Sequence, residues 1–143
     1  MSKPAILIDS GFWFGLFDIR DECHNQANEL LPYLYEYKLI IPWPVLYEVL
    51  NTRFIRRMTW IDRFYTFVTN MDIFFVDDGE YINNDLSDYY LAATRLKISL
   101  VDYIIRNMLN DRNLKIDFFV TGNVRDFQDI CFDRDIELYN LKP

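Results

Sequence analysis

The sequence "AILIDSGFWF", residues 5–14, places four apolar residues directly before the carboxylate of Asp9. An uninterrupted apolar run is typical of a strand that is covered on both faces of a parallel sheet. A carboxylate after such a strand either belongs to a turn or is the first ligand of a metal site at the end of the sheet. Ser10 and Gly11 predict a tight turn that lets a metal and a phosphate approach.

Composition and charge narrow the class of protein. The chain has 143 residues, 51% hydrophobic and 17% aromatic, so we expect a single domain over residues 1–143 with a substantial core. The net charge of −7 argues against a broad basic face for nucleic acid, but carboxylates that converge on a divalent cation reverse the local field. One histidine and two isolated cysteines exclude the usual zinc-ligand spacings.

The apolar runs of the sequence are all short. Asp9 interrupts the first run after four residues, so the amino terminus lacks the pattern of a signal peptide. No run approaches the ~18–20 apolar residues that a membrane span needs. We therefore expect a protein that has no membrane partner and acts in the cytoplasm.

Short β-type runs alternate with longer helical patterns. Strands are predicted at residues 5–8, 38–41, 72–76, 115–120 and 136–140. Helices are predicted at residues 24–37, 45–57, 59–70 and, as two helices with Ser99 capping the second, within 85–110. This alternation predicts βαβ units around a parallel sheet, in which "ILI" and "FFV" are covered on both faces.

Four acidic residues lie at predicted strand ends or near the starts of the helices that follow: Asp9, Glu48, Asp102 and Asp126. Because ligands of open parallel sheets collect at the carboxyl ends of the strands, these residues can meet in one pocket. Each also has a purely structural interpretation. Asp102 fits a capping box with Ser99 three residues before it. Asp126 lies at the same spacing from Asn123, so these two residues can form a similar cap. Glu48 can be a residue on the flank of its helix.

A pocket of carboxylates has a definite chemical use. Carboxylates held together repel one another and are driven to protonate. Mg²⁺ or Mn²⁺ relieves that repulsion, because these hard cations prefer oxygen ligands. Such ions can activate water and stabilise the leaving oxygen in phosphodiester hydrolysis. The pattern therefore favours a metal-dependent hydrolase.

The acidic residues lie within four longer segments: "ILIDSGFWFGLFDIRDECHNQA", "PWPVLYEVL", "KISLVDYII" and "FFVTGNVRDF". Together, in order and over nearly the whole chain, they resemble the PIN domain family, many of whose members are the ribonuclease toxins of toxin–antitoxin pairs. The first resembles the family's opening, with an Asp-x-x-His-x-x-Ala element from Asp21 to Ala27. The last resembles its final strand and Thr-x-Asn/Asp-x-x-Asp-Phe pattern.

The resemblance implies a fold and an activity. The fold is a three-layer α/β/α sandwich with a mostly parallel five-stranded sheet. The activity is hydrolysis of single-stranded or looped RNA, with Mg²⁺ or Mn²⁺ as the cofactor, to leave a 3′-hydroxyl and a 5′-phosphate. The implied partners are a second copy of the chain, in a homodimer, and a separately encoded antitoxin that blocks the acidic pocket, with the negative net charge complementing a basic inhibitory segment.

The resemblance also assigns roles to residues. The implied catalytic metal ligands are Asp9, Glu48 and Asp102, with Asn123 or Asp126 in the fourth place. The family varies at this fourth place, and a neutral Asn123 weakens a second metal, whereas Asp126 can take the role. The resemblance implies that Ser10 and Thr121 do not bind the metal themselves but contact its ligands and orient them.

The second predicted helix ends in a basic segment with Arg53, Arg56 and Arg57. These arginines rotate onto the apolar side of the helix, so the helix either ends near residue 52 or projects beyond the sheet. A projecting basic end would hold RNA phosphates. The alternative is a solvated face that pairs with Asp62 or Asp72.

Other residues have a structural interpretation that outweighs the functional one. His24, the only histidine, favours a structural or capping role over that of a general base. The aromatic residues Trp60, Phe64, Tyr65 and Phe67 favour core or dimer packing over a platform for base stacking.

Alternative functions remain open at the level of sequence. A catalytically weak PIN module that binds RNA or assembles with protein is favoured by the neutral Asn123. A receiver-like signalling domain is disfavoured, because Ser10 rather than a second acid follows Asp9. A phosphatase with an Asp-x-Asp motif fails at Gly11.

Overall fold

The computed structural model describes residues 3–82 and 86–143. Within these ranges the strands are Ala5–Ile8 (β1), Lys38–Pro42 (β2), Ile73–Val76 (β3), Phe118–Thr121 (β4) and Glu137–Asn140 (β5). The α-helices are Ser10–Phe17 (α1), His24–Leu30 (α2), Trp43–Asn51 (α3), Met58–Thr69 (α4), Ser87–Leu91 (α5), Leu100–Leu109 (α6) and Gln128–Asp133 (α7). Residue 85, where the predicted pair of helices begins, lies outside the described residues.

The five strands form one sheet in the order β3-β2-β1-β4-β5, and every neighbouring pair is parallel. The chain first builds outward from β1 to β3 and then crosses back to β4 on the other side of β1. Right-handed crossovers in these two directions cover opposite faces of the sheet, which confirms the predicted α/β sandwich. The reversal makes the carboxyl ends of β1 and β4 the switch point of the sheet, where ligands of such folds collect.

Burial differs between the central and edge strands. All four residues of β1 are buried, as predicted, and β4 is buried except at its first residue. The prediction is wrong for β3, where Phe74 is 45% exposed and Phe75 is 40% exposed. Because β3 is an edge strand, its faces are less completely covered than those of β1.

The predicted tight turn at Ser10 and Gly11 is wrong, because these residues begin α1. Asp9 is the extended residue before the helix, and its Oδ1 accepts a hydrogen bond from the Ser10 amide at 2.8 Å. Phe12 and Trp13 are fully buried and Leu16 nearly so. A helix covered on so many sides shows no polar stripe, so periodicity could not reveal it.

Two predicted helices are shorter than their sequence patterns. The pattern of residues 24–37 becomes α2 and a 3₁₀ segment, Leu31–Glu36. The pattern of residues 45–57 ends as an α-helix at Asn51 and is followed by a short 3₁₀ turn, Phe54–Arg56. Ser99 does cap α6, as predicted, by accepting a hydrogen bond from the Asp102 amide. None of the helices in the described ranges is long and apolar enough to cross a membrane.

Candidate acidic site

Asp9 and Thr121 meet at the switch point of the sheet. The Asp9 amide donates to the carbonyl of Val120 at 3.0 Å, which continues the pairing of β1 with β4 by one residue. The Thr121 hydroxyl donates to Asp9 Oδ2 at 2.8 Å, while Oδ1 accepts from the Ser10 amide. Both side chains are buried, so the Asp9 carboxylate is held in one orientation at the carboxyl edge of the sheet.

Burial changes the acidity of Asp9. Loss of solvent, followed by the negative charge of Asp102 and to a smaller extent that of Glu48, raises the pKa of this carboxyl to about 7. The hydrogen bonds from Thr121 and Ser10 oppose this rise by stabilising the charged form. Asp9 is therefore poised to change its charge near neutral pH.

Asp102 lies in the first turn of α6. The sequence allowed two interpretations of it, a capping box with Ser99 and a carboxylate of the acidic pocket, and the structure shows features of both. Its backbone amide is capped by the Ser99 hydroxyl at 3.2 Å, as the capping pattern predicts. Its carboxylate instead accepts a hydrogen bond from Asn123 Nδ2 at 3.0 Å. Burial raises the pKa of Asp102, and the charges of Asp126 and Glu48 raise it as well. The carboxylate of Asp102 therefore interacts with the other acidic residues, Asp9, Glu48 and Asp126, and we call these four residues together with Asn123 the acidic site.

Asn123 bridges two carboxylates rather than capping a helix. Its side chain makes no cap hydrogen bond to the 3₁₀ turn Val124–Asp126, so the capping interpretation is wrong. Its Nδ2 atom donates to Asp102 Oδ2 and, at 2.8 Å, to Asp126 Oδ2. Its backbone amide donates to the Thr121 hydroxyl at 3.0 Å. Both candidates for the fourth position of the site thus lie beside Asp102.

Arg106 holds the segment that carries Asp126, and the sequence analysis did not single it out. Its guanidinium donates to the backbone carbonyl of Asp126 at 2.6 Å and makes a two-pronged pair with Asp129 at 2.7 and 2.9 Å. Arg106 stands four residues after Asp102 on α6, so the two share a helix face. That spacing is the signal that could have identified it.

Glu48 approaches the same region from α3. It lies in the second turn of that helix and is half-buried. Its negative charge contributes to the raised pKa of both Asp9 and Asp102. The half-buried position of Glu48 agrees with the interpretation that it lies on the flank of its helix. That interpretation did not include the influence of Glu48 on Asp9 and Asp102.

The donor set suits a hard divalent cation in its chemistry and charge. The side chains offer carboxylate and amide oxygens, and the pKa values of two of the carboxyls, Asp9 and Asp102, are raised by burial and by neighbouring negative charge. Over residues 3–82 and 86–143, no three Asp, Glu, His or Cys side chains are grouped as a metal centre. Asn123 Nδ2 occupies the space between Asp102 and Asp126.

The basic segment after α3 does not project as a helix. Arg53 pairs with Asp21 at 2.9 Å instead of with the predicted partners, and its guanidinium lies over the ring of Phe14. Asp72 instead lies 4.0 Å from Lys3. Arg57 lies over the ring of Trp60.

The structural interpretations of His24 and of most of the aromatic run are confirmed. His24 Nδ1 lies 2.8 Å from the Gly15 carbonyl, and Nε2 lies 3.0 Å from Asn28 Nδ2, so the ring joins α1 to α2 with both nitrogens engaged. Phe64 and Phe67 pack edge-on against the buried ring of Trp13. Tyr65 differs, since it is 67% exposed.

An all-parallel five-stranded sheet in this order, with an acidic residue directly after β1 and others gathered at the same edge, is a PIN-like fold. The fold and its acidic edge therefore agree with the resemblance found in the sequence.

Comparison with solved structures gives the same fold. One similar chain is from the crystal structure of VapBC2 of Rickettsia felis bound to a DNA fragment from their promoter, with a TM-score of 0.55 and 15% identity over 95% of this chain and 98% of that chain. Another is from the structure of DNA-bound VapBC of Salmonella typhimurium, with a TM-score of 0.57 and 15% identity over 99% of both chains. No protein-family model and no curated protein sequence matches the chain.

Proposed function

We propose that this protein is a metal-dependent endoribonuclease that hydrolyses single-stranded or looped RNA, acting in the cytoplasm as the toxin of a toxin–antitoxin pair. The observation that carries the proposal is the buried Asp9 carboxylate at the switch point, with its pKa raised to about 7 by burial and by neighbouring carboxylates. Perturbed carboxylates in a ligand-binding edge are typical of catalytic centres.

Each residue then has a role. Asp9, Glu48 and Asp102 would hold Mg²⁺ or Mn²⁺, which supplies charge neutralisation at the phosphate and activation of water when bound. Thr121 fixes the Asp9 carboxylate, and Asn123 keeps Asp102 and Asp126 side by side. The metal is supported by donor chemistry and charge, not by a preformed coordination shell.

Partners follow from the same site. The solved relatives are VapBC complexes, which supports a separately encoded antitoxin for this chain. A basic segment of the antitoxin, with an arginine that enters the acidic pocket, would complement the carboxylates there. A homodimer is supported by the exposed apolar residues near α5, including Leu91 and Leu96, which a second copy would cover. Light scattering after gel filtration tests the dimer.

The test of the activity is cleavage of a mixed RNA pool by the wild type, by Asp9→Asn and by Asp133→Asn, each with Mg²⁺, Mn²⁺ or EDTA. Asp133 is an exposed acid at the end of α7 and provides the matched control. We expect cleavage by the wild type and by the control with either metal, none in EDTA, and a loss of at least ~100-fold in Asp9→Asn. Cleavage that survives both EDTA and the Asp9 substitution would sink the proposal.

A second candidate function is favoured by the Asn123 bridge. An amide nitrogen that already joins Asp102 to Asp126 neutralises part of their repulsion without a metal. The protein would then be a PIN module that binds RNA or assembles with protein and cleaves weakly or not at all. RNA binding without cleavage under any metal condition supports this alternative.

A further inference from the structure

A basic pocket, separate from the acidic residues, lies where α1 and α3 end and α4 begins. It has a volume of about 730 Å³ and an opening to solvent. Four arginines line it: Arg20, Arg53, Arg56 and Arg57. The other lining residues are Asp18, Thr52 and Trp60. On a chain with a net charge of −7, this is a marked concentration of positive charge.

Half of this positive charge is uncompensated. Arg20 pairs with Asp18 at 3.2 Å, and Arg53 pairs with Asp21 at 2.9 Å. Within the described part of the chain, neither Arg56 nor Arg57 has a carboxylate partner. Two guanidinium groups with free donors therefore face the pocket, and guanidinium groups match the geometry of phosphate oxygens.

The walls of the pocket hold two of its arginines, Arg53 and Arg57, in place. Arg53 is fixed on two sides, by Asp21 and by the ring of Phe14 at 4.4 Å from its guanidinium carbon. The guanidinium of Arg57 lies 4.8 Å from the centre of the Trp60 ring. The amino end of the twelve-residue α4, which no side chain caps, adds partial positive charge beside Arg57.

A hydrogen bond at the carboxyl end of α3 links a residue of the pocket to Glu48. Thr52, which lines the pocket, donates its hydroxyl hydrogen bond to the backbone carbonyl of Glu48. These two residues are one helical turn apart, ~6 Å along the axis of α3. An RNA strand that extends along α3 from Glu48 would therefore meet the pocket at Thr52.

We propose that this arginine pocket binds the backbone phosphates of an RNA strand next to the position that is cut. The inference rests on the proposed ribonuclease function. Arg106 and Arg125, beside the acidic residues, already pair with Asp129 and Asp126, whereas Arg56 and Arg57 have donors left for phosphate. Bound at the pocket, the RNA backbone would gain contacts with Arg56 and Arg57 that offset part of its repulsion by the acidic residues. Trp60 offers a ring face on which an unpaired base can stack.

The experiment measures binding of a fluorescein-labelled, mixed-sequence single-stranded RNA by anisotropy in EDTA, where turnover does not interfere. The proteins are the wild type, Arg56→Gln, Arg56→Gln/Arg57→Gln and the matched control Arg112→Gln. Arg112 is an exposed arginine after the end of α6, before β4 begins, and thus at the opposite edge of the sheet from the acidic site. Urea unfolding of each variant verifies that the fold is retained.

We expect the double variant to bind RNA at least ~5-fold more weakly than the wild type at low salt, with Arg56→Gln in between. The slope of log affinity against log salt should fall by ~1.4, since each contact to single-stranded nucleic acid contributes ~0.7. Arg112→Gln should match the wild type in both.

A double variant that matches Arg112→Gln in affinity and salt slope overturns the assignment, even if the wild type cleaves RNA with Mg²⁺. The converse result, loss of RNA binding in the double variant of a protein that never cleaves, supports the pocket and rejects the ribonuclease. Polyglutamate is the comparison ligand. If the binding of polyglutamate depends on Arg56 and Arg57 while the binding of RNA does not, the pocket binds an acidic protein segment and the RNA assignment is wrong.

Discussion

Asn123 and Asp102 are joined by a hydrogen bond of 3.0 Å from the side-chain amide nitrogen to Oδ2. The same nitrogen reaches Asp126 at 2.8 Å, so one neutral group lies between two carboxylates from distant parts of the chain. Burial and the charges of Asp126 and Glu48 both raise the pKa of Asp102, and the Asn123 bond opposes them. The amide therefore sets how much repulsion the metal-free site carries.

Replacing this amide by a carboxylate should increase both the repulsion and the demand for a cation. In Asn123→Asp, Asp102 and Asp126 lose their shared donor and gain a third negative neighbour. We expect a lower melting temperature in EDTA and a larger rise on addition of Mn²⁺ than in the wild type, because ligand binding stabilises the folded state. Asn113→Asp, at an exposed position, is the control, and an equal response in the two variants would refute the bridge's role.

Asp9 should make the stability of the metal-free protein depend on pH. The pKa of Asp9 is about 7 in the folded protein, against the ordinary value of 3.8 expected in the unfolded chain. At a pH between these two values, the folded protein therefore holds a proton on Asp9 that the unfolded chain lacks. The contribution of Asp9 is therefore greatest at low pH and is lost as the pH rises through 7. The unfolding free energy of the wild type minus that of Asp9→Asn should fall by ~1.4 kcal/mol per pH unit in the middle of this range.

Urea titrations in EDTA from about pH 5 to about pH 8 measure this difference. The control is Asp133→Asn, whose difference from the wild type should stay flat. A flat profile for Asp9→Asn would show that Asp9 is charged throughout this range.

Arg106 should act as a positioning residue for Asp126. In Arg106→Gln the backbone carbonyl of Asp126 and the carboxylate of Asp129 both lose their donor, so we expect a loss of ~1–3 kcal/mol in unfolding free energy and weaker cleavage. Asp129→Asn removes the ion pair but keeps the bond to Asp126. If positioning is the cause, it should retain more activity than Arg106→Gln at matched stability.

Two glycines of α1 predict opposite responses to alanine. A Cβ at Gly15 would lie 2.9 Å from backbone atoms of Cys23, so Gly15→Ala must push α1 from the chain before α2 and destabilise the fold by ~2 kcal/mol or more. A Cβ at Gly11 would meet its nearest atom at 3.6 Å, an ordinary contact. Gly11→Ala should therefore be neutral or stabilise the helix by up to ~1 kcal/mol. Thermal unfolding of the two variants compares them directly.

The strands were the most predictable part of the fold. Four apolar residues before Asp9 correspond residue for residue to β1. Strands β3 and β5 lie within their predicted runs, and β2 and β4 each extend one residue beyond theirs. Such runs are informative because a strand buried on both faces has no polar side to obscure its pattern. Helix α1 escaped prediction for a related reason, since burial around most of its surface removed the periodicity by which helices are recognised.

The sequence singled out the acidic residues near the carboxyl edge of the sheet, but not the contacts that they make. Position after a strand identified Asp9, and spacing from Ser99 identified the helix start with Asp102. Spacing also suggested that Asn123 caps a turn, whereas the tertiary structure turns its amide toward two carboxylates. The bond from Asn123 to Asp102 joins residues 21 positions apart in sequence, and no local pattern records it.

The sequence by itself determined the parallel sheet, the residue types at its carboxyl edge and the cap of α6, because these depend on local patterns of burial and backbone hydrogen bonding. Only the tertiary structure decided that Arg106 anchors the Asp126 segment and that four arginines from two parts of the chain line one pocket. It also decided the raised pKa of Asp9, since desolvation and charge repulsion depend on what surrounds a group in space.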